Sequence, residues 1–334
     1  MPPAIRPATL QDLPRIVALL TEDAEVRHSL DPLLWRLAAD ASTRIERAVG
    51  GALNASRTPA QELWFVAEHA GQVVGVTRAM IVPVPPIYDD AAGSPGLLLD
   101  DSCVSAGAPP GTAEALLVVT EAALEAAGAA LLVASCPANG ALRPLYERRG
   151  YEPLTLYMVK HRFSSGTLPP RVHFATAAHV PGIVRRSAQH RTTLARVNPR
   201  FWHIHPDADR RFDAWMRRSL TFGDRDMFVS VEAGGVRGYV IAQPVAPLLV
   251  PAAHDIAAIG VIDDFYDDDL ADVATLSNGG SNAESLLAAA EGAFARRTID
   301  SVLVVCPATW LSKVALLERS AYRPAKLWML KKPV

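Results

Sequence analysis

A tyrosine, two adjacent carboxylates and a loop of small residues are spaced so that together they could hold an anion and move a proton. Tyr146 lies in the stretch Cys136 to Tyr151, Cys-Pro-Ala-Asn-Gly-Ala-Leu-Arg-Pro-Leu-Tyr-Glu-Arg-Arg-Gly-Tyr. A phenol with a pKa of about 10 keeps its proton at neutral pH and can donate it. Asp100 and Asp101 stand within the apolar run Leu97 to Val104. A carboxylate in mid-strand is costly to bury unpaired, so one of the two is expected to face a cleft; the alternative places both, solvated, at the strand end. Ser105 to Ala113 reads Ser-Ala-Gly-Ala-Pro-Pro-Gly-Thr-Ala ahead of a helical run. Backbone N–H groups and the helix dipole at such a start favour a diphosphate, although Pro109 and Pro110 lack donors.

Each group needs an element to position it. Ala130 to Ala134 is short and apolar like a buried strand, and Pro137 and Asn139 mark its exit and the start of a helix on which Leu142, Leu145 and Tyr146 share a face. Pro144 falls inside that helix and is expected to remove one backbone bond. Gly150 can end the helix in a left-handed conformation before a strand from Tyr151. Upstream, Ile5 to Thr9 reads as a strand and cap, Asp12 to Leu20 as an amphipathic helix, and Glu22 to Ala55 as helical and of mixed polarity. Trp64 to Ala67 and Val73 to Val76 read as a hairpin, and Pro83 to Pro95 as an irregular flap. Alternation along a single strand puts Leu97, Leu99, Asp101 and Cys103 on one face and Leu98, Asp100, Ser102 and Val104 on the other.

The series occurs twice. Cys306-Pro307-Ala308 repeats Cys136-Pro137-Ala138 at a distance of 170 residues, and Tyr322, Pro324, Met329 and Lys331 repeat Tyr151, Pro153, Met158 and Lys160 at 171. Phe65-Val66 and Gly75 recur as Phe228-Val229 and Gly238. Shared order of this kind argues for a duplicated domain, with units at 1–163 and 171–334 joined by the breaker-rich linker Ser-Ser-Gly-Thr-Leu-Pro-Pro at 164–170.

The pattern Asn-x-x-Leu-x-x-Leu-Tyr-x-x-x-Gly-Tyr at Asn139 to Tyr151 resembles the penultimate helix of the GNAT superfamily of acyl-CoA-dependent N-acyltransferases. The two-copy order is similar to the tandem arrangement of mycothiol synthase-type enzymes. The resemblance implies an α/β fold of two tandem GNAT-like domains, each a mixed, largely antiparallel central sheet with helices on both faces. It implies acetyl-CoA, or another acyl-CoA, bound in a gap between two splayed strands. Cys103, Val104 and Ser105 would line one side, and Pro110, Gly111, Thr112 and Ala113 the phosphate end. Tyr146 would lie beside the sulfur as the acid, and Asn139 would contact the cofactor or cap the helix. Asp100 or Asp101 would serve as base, directly or through water, on an amine of a small molecule. The Arg or Gln that opens the family's phosphate loop is replaced by Ala108.

In the second copy the loop aligns as Asn278 to Ala283, without that Arg or Gln and without the first motif Gly, and Leu317 stands where Tyr146 stood. The acidic run Asp267 to Asp269 reads as an exposed strand exit. The first copy is therefore the expected catalyst and the second a packing partner; the runner-up is a non-catalytic acyl-CoA-binding protein.

Composition narrows the rest. Half of the 334 residues are hydrophobic, and a net charge of −2 gives no general pull toward nucleic acid or anionic membrane. The arginines between Arg185 and Arg218 are diluted by Asp207, Asp209 and Asp213 and read as a solvated helical face. His203 and His205 lack a third ligand, so no metal centre is expected. No apolar run approaches the roughly 18 residues of a membrane span, the first residues lack the apolar core of an export signal, and a cytoplasmic address is expected. Cys103, Cys136 and Cys306 read as reduced, buried thiols. Whether the copies pack within one chain or pair as a homodimer is open at this level.

Overall fold

The structure is a computed structural model that describes residues 2–54, 62–89, 93–232 and 235–332; residues 90–92 of the flap and residue 55 lie outside the described residues. The first half runs β1 (Ala4–Pro7), α1 (Leu13–Leu30), α2 (Ala41–Asn54), β2 (Glu62–His69), β3 (Gln72–Ile81), β4 (Pro95–Leu98), β5 (Cys103–Val104), α3 (Thr112–Ala126), β6 (Leu131–Pro137), α4 (Arg143–Arg148) and β7 (Tyr151–His161). The second runs β8 (Val172–Phe174), α5 (Val180–Val197), α6 (Ala208–Ser219), β9 (Asp226–Glu232), β10 (Gly235–Pro244), β11 (Ile259–Ile262), β12 (Phe265–Asp267), α7 (Ser281–Arg296), β13 (Ser301–Pro307), α8 (Leu311–Arg319) and β14 (Arg323–Lys331). Strand and helix follow one another in the same order in both halves.

The two halves share one sheet, ordered β1-β2-β3-β4-β6-β14-β7-β13-β11-β10-β9-β8, with β5 on β3 and β12 on β10. Most neighbours are antiparallel; β4 with β6 and β11 with β13 are parallel. The last strand of each half is placed next to the other half. β14 pairs β6 through Leu327↔Cys136 and Met329↔Ala134, and β7 pairs β13 through Met158↔Val304. The exchange buries apolar side chains of both terminal strands, Met158 and Met329 being fully covered.

Three local expectations need correction. The run Leu97 to Val104 is not one strand: it breaks after Leu98, where the Ser102 hydroxyl donates to the Leu99 carbonyl (2.8 Å), and resumes as β5. Alternation therefore does not carry across Asp100 and Asp101, and both are buried. Asn139 does not begin a helix; it lies in a turn, and α4 starts at Arg143 after Leu142. Pro144 consequently sits in the first helical turn, where its missing N–H would have had no intrahelical acceptor.

Candidate active site

The cleft arises where β4 and β6 stop pairing. They run together through Leu97↔Val133 and Leu98↔Ala134. Beyond that point β5 is bonded to β3 alone, while Ser135 to Pro137 of β6 are bonded on their far side to β14. Gly75 allows β5 to lie this close to β3, since a Cβ there would meet Val104 Cγ1 at 2.9 Å and Leu116 Cδ1 at 3.0 Å. The wedge so formed is a cavity of about 270 Å³ lined by Asp23, Arg27, Asp100, Cys103, Val104, Ser135, Cys136 and Asn139.

α3 starts after Ser105 to Gly111, the loop that follows β5 directly. Gly111 precedes it in the left-handed region at φ 83° and no side chain caps the helix; the Thr112 amide bonds the Pro109 carbonyl (3.2 Å), and the Ala113 and Glu114 amides are left for another acceptor. A one-sided strand edge leading to an uncapped helix start fits the extended pantetheine arm and diphosphate of a coenzyme A. Of the expected residues Val104 and Ala113 lie on this path with backbone to offer, whereas the Ser105 amide bonds the Val74 carbonyl (2.8 Å), the Thr112 amide bonds Pro109, and Pro110 has no amide.

Tyr146 is 2% exposed and lies under the wedge, against a small void it shares with Ser102, Cys103, Val104 and Leu142. Its ring packs on Tyr151, with centroids 5.5 Å apart. Among the described residues its hydroxyl has no hydrogen-bond partner, and burial pushes its pKa up, so it stays protonated.

The two carboxylates are tied. Asp101 Oδ2 is 2.7 Å from Arg78 Nη1, facing away from the wedge lining. Asp100 touches Lys326 Nζ at 2.8 Å and Arg27 Nη1 at 3.6 Å, and Arg27 also donates to the Asp100 carbonyl. Burial alone would raise the Asp100 pKa, but the Lys326 and Arg27 charges outweigh it and hold the carboxyl below its ordinary value. Sequence reasoning missed two residues. Lys326 comes from β14 of the other half and also donates to the Leu249 carbonyl (2.7 Å). Asp23 lines the wedge from α1, beside Arg27 at 2.6 Å, and burial raises its pKa despite that partner. Asp23 and Arg27 are an i,i+4 pair, a pattern that surface helices share, so spacing alone could not single them out.

The equivalent gap of the second half is filled. Gly280 takes the role of Gly111, in the left-handed region at φ 77° ahead of α7, so the first motif Gly is displaced by one position and not absent. Asp269 Oδ2 accepts from the Asn282 and Ala283 amides at 2.8 and 3.4 Å, its other oxygen from Asn278 Nδ2 at 3.2 Å. A carboxylate of the chain thus holds the place a phosphate would take. Asp267 and Asp269 are fully buried, which corrects the expectation of an exposed acidic run. Farther in, Lys313 Nζ donates to the Phe265 carbonyl of β12 (2.9 Å) and lies over the ring of Trp310, both side chains fully buried.

No family model and no curated protein matches the sequence. Solved structures do. A tandem GNAT protein from the clavulanic acid biosynthesis pathway aligns over 98% of this chain and 97% of its own at 14% identity, TM-score 0.50. A GCN5-related N-acetyltransferase from Sphaerobacter thermophilus aligns over 99% of this chain and 95% of its own at 15% identity, TM-score 0.56. Two splayed parallel pairs in one sheet, one open and one plugged, and structural neighbours that match end to end lead to the same statement: this chain has the fold of the tandem GCN5-related N-acetyltransferases.

Proposed function

We propose that the chain is an acyl-CoA-dependent N-acyltransferase, acting on an amine of a small molecule, and that the first half carries the reaction. The carrying observation is the contrast between the halves: β5 and the start of α3 are open in one, and Lys313, Trp310 and Asp269 close their counterparts in the other.

An acyl-CoA supplies an activated carbonyl and a thiolate leaving group. The chain's own residues do the rest. The α3 amides and the free edge of β5 hold and align the coenzyme; Tyr146, protonated and without a partner, donates toward the departing sulfur. Asp23, whose raised pKa suits it to take a proton, is the proposed base in preference to Asp100, which two cations keep ionised, and Asp101, which Arg78 holds aside. Asp100 with Lys326 and Arg27 sets the shape of the wedge wall.

Calorimetric titration with acetyl-CoA, paired with a free-thiol assay over a panel of amines, tests this reading. Expected are one coenzyme per chain, turnover with at least one amine, and for Tyr146→Phe a kcat lower by about 10²-fold with coenzyme affinity unchanged. Binding without thiol release for any amine would leave a coenzyme-binding protein, the runner-up, in its place.

A further inference from the structure

The first half has an apolar cavity of about 440 Å³ that shares no lining residue with the coenzyme wedge. Its floor is the sheet, with Leu97 of β4, Leu131 and Val133 of β6 and Trp328 of β14. The chain from Val82 to Pro85, Tyr88 of the flap and the loop Arg200 to His203 after α5 form its walls. It lies where β4 and β6 are still paired, through Leu97↔Val133, and the wedge opens only beyond Leu98↔Ala134.

Comparison of the halves shows that the architecture does not impose this space. Val261 and Leu303 pair across β11 and β13 as Leu97 and Val133 pair across β4 and β6. On that second face Leu34, Trp35, Val245 and Val250 join Val261, Leu303 and Tyr157 in one buried cluster. Phe201-Trp202 follow Leu34-Trp35 by 167 residues, the interval that also separates Pro181 from Pro14 in the first turns of α5 and α1. Equivalent positions thus fill the face of one half and stand back from the face of the other, where Phe201 and Trp202 are only partly buried. Native interiors hold few voids larger than a water, and apolar pockets of roughly 300–1,000 Å³ are the usual size for small ligands.

The lining states what kind of ligand. Tyr88 and Trp202 have ring centroids 5.1 Å apart, Phe201 meets Trp202 edge-on at 4.6 Å, and Trp328 adds a fourth ring from the floor, so a flat apolar body is favoured. The buried polar atoms of the lining that lack a partner are both donors, Trp202 Nε1 and Trp328 Nε1. Arg200 is exposed beside them, reaches only the Lys331 carbonyl at 3.4 and 3.5 Å, and forms no ion pair among the described residues. His203 is engaged by the Arg200 carbonyl (3.2 Å), and Asp89, the carboxylate of the lining, has a partner of its own.

We propose that this cavity is a second ligand site and that it takes an organic carboxylate on a flat apolar body, with the body among the rings and the carboxylate at the Arg200 guanidinium. The inference holds whether or not the first half transfers acyl groups.

Calorimetry with 1-naphthaleneacetate as the probe, 1-naphthaleneethanol as its neutral isostere and acetate as the anion without the body tests it. The probe is expected to bind about tenfold or more tighter than either, with affinity unchanged by saturating acetyl-CoA. Arg200→Ala, at an exposed side chain whose loss leaves the fold intact, is expected to bring the probe to within about twofold of the alcohol. Leu248→Trp, which fills the cavity from a side chain 37% exposed, is expected to weaken probe and alcohol alike by about tenfold. Absence of probe binding, alcohol or acetate binding as tightly, competition by acetyl-CoA, or unchanged probe affinity in either folded variant would each overturn the proposal.

Discussion

Asp23 and Asp100 are carboxylates on one wedge with opposite proton affinities, and neighbours set the difference. Asp100 is buried between Lys326 and Arg27, which hold it ionised; Asp23 has one partner, and burial prevails. A rate-determining base must be deprotonated, so acyl transfer is expected to decline as pH falls through the raised Asp23 pKa. Asp23→Asn is expected to lower kcat by about 10²-fold and remove that limb of the pH–rate profile; a limb that persists in Asp23→Asn would move the role elsewhere. Residue chemistry was only partly legible beforehand. Tyr146 and Gly111 stand out through a helix pattern and a small-residue loop. Asp269 does not, because three consecutive aspartates read as solvated and nothing local shows that α7 points its amides at one of them.

At the scale of elements, β14 both completes the sheet and delivers Lys326 into the first half. Lys326 is 1% exposed, and removing it leaves Asp100 charged and buried. Lys326→Met is expected to cost about 3–5 kcal/mol in urea unfolding, and Asp100→Leu in the same chain to recover much of it, since the charge is then gone as well. A single variant as stable as the parent would show that Arg27 alone compensates Asp100. A second tie links the same strand to the segment after α1: Asp31 accepts from His161 Nε2 (3.0 Å) on β7 and Arg323 Nη2 (2.7 Å) on β14. Burial opposes ionisation, but His161, the Leu34 amide and Arg323 together bring the Asp31 carboxyl down from 3.8 to about 2. A depressed folded pKa stabilises above the unfolded value, so this contribution, about 2 kcal/mol, is present above pH 4 and lost between about pH 4 and 2. Asp31→Asn is expected to be less stable at pH 6 and to show a smaller loss over that interval, measured by denaturant midpoints.

For the whole molecule, the duplication was readable because the repeated Cys, Tyr and Met positions, Cys136 and Cys306, Tyr151 and Tyr322, Met158 and Met329, are buried in both halves. The exchange of terminal strands was not. Met158 and Met329 occupy equivalent places in two similar strands, and alternation shows which side chains a strand buries, not which strand lies beside it. In the structure β14 lies between β6 and β7, so residues 1–163 without the second half would leave facing strand edges unpaired in the middle of a sheet. That fragment is expected to fail as a monomer, eluting as oligomers on gel filtration and binding acetyl-CoA at least tenfold more weakly, about 1.4 kcal/mol, than the full chain. Coexpression with 164–334 should restore both properties, because it returns β14 and, with it, Lys326 beside Asp100. A monomeric 1–163 with full coenzyme affinity would mean that β6 and β7 close on each other unaided, and that the second half is dispensable to the wedge.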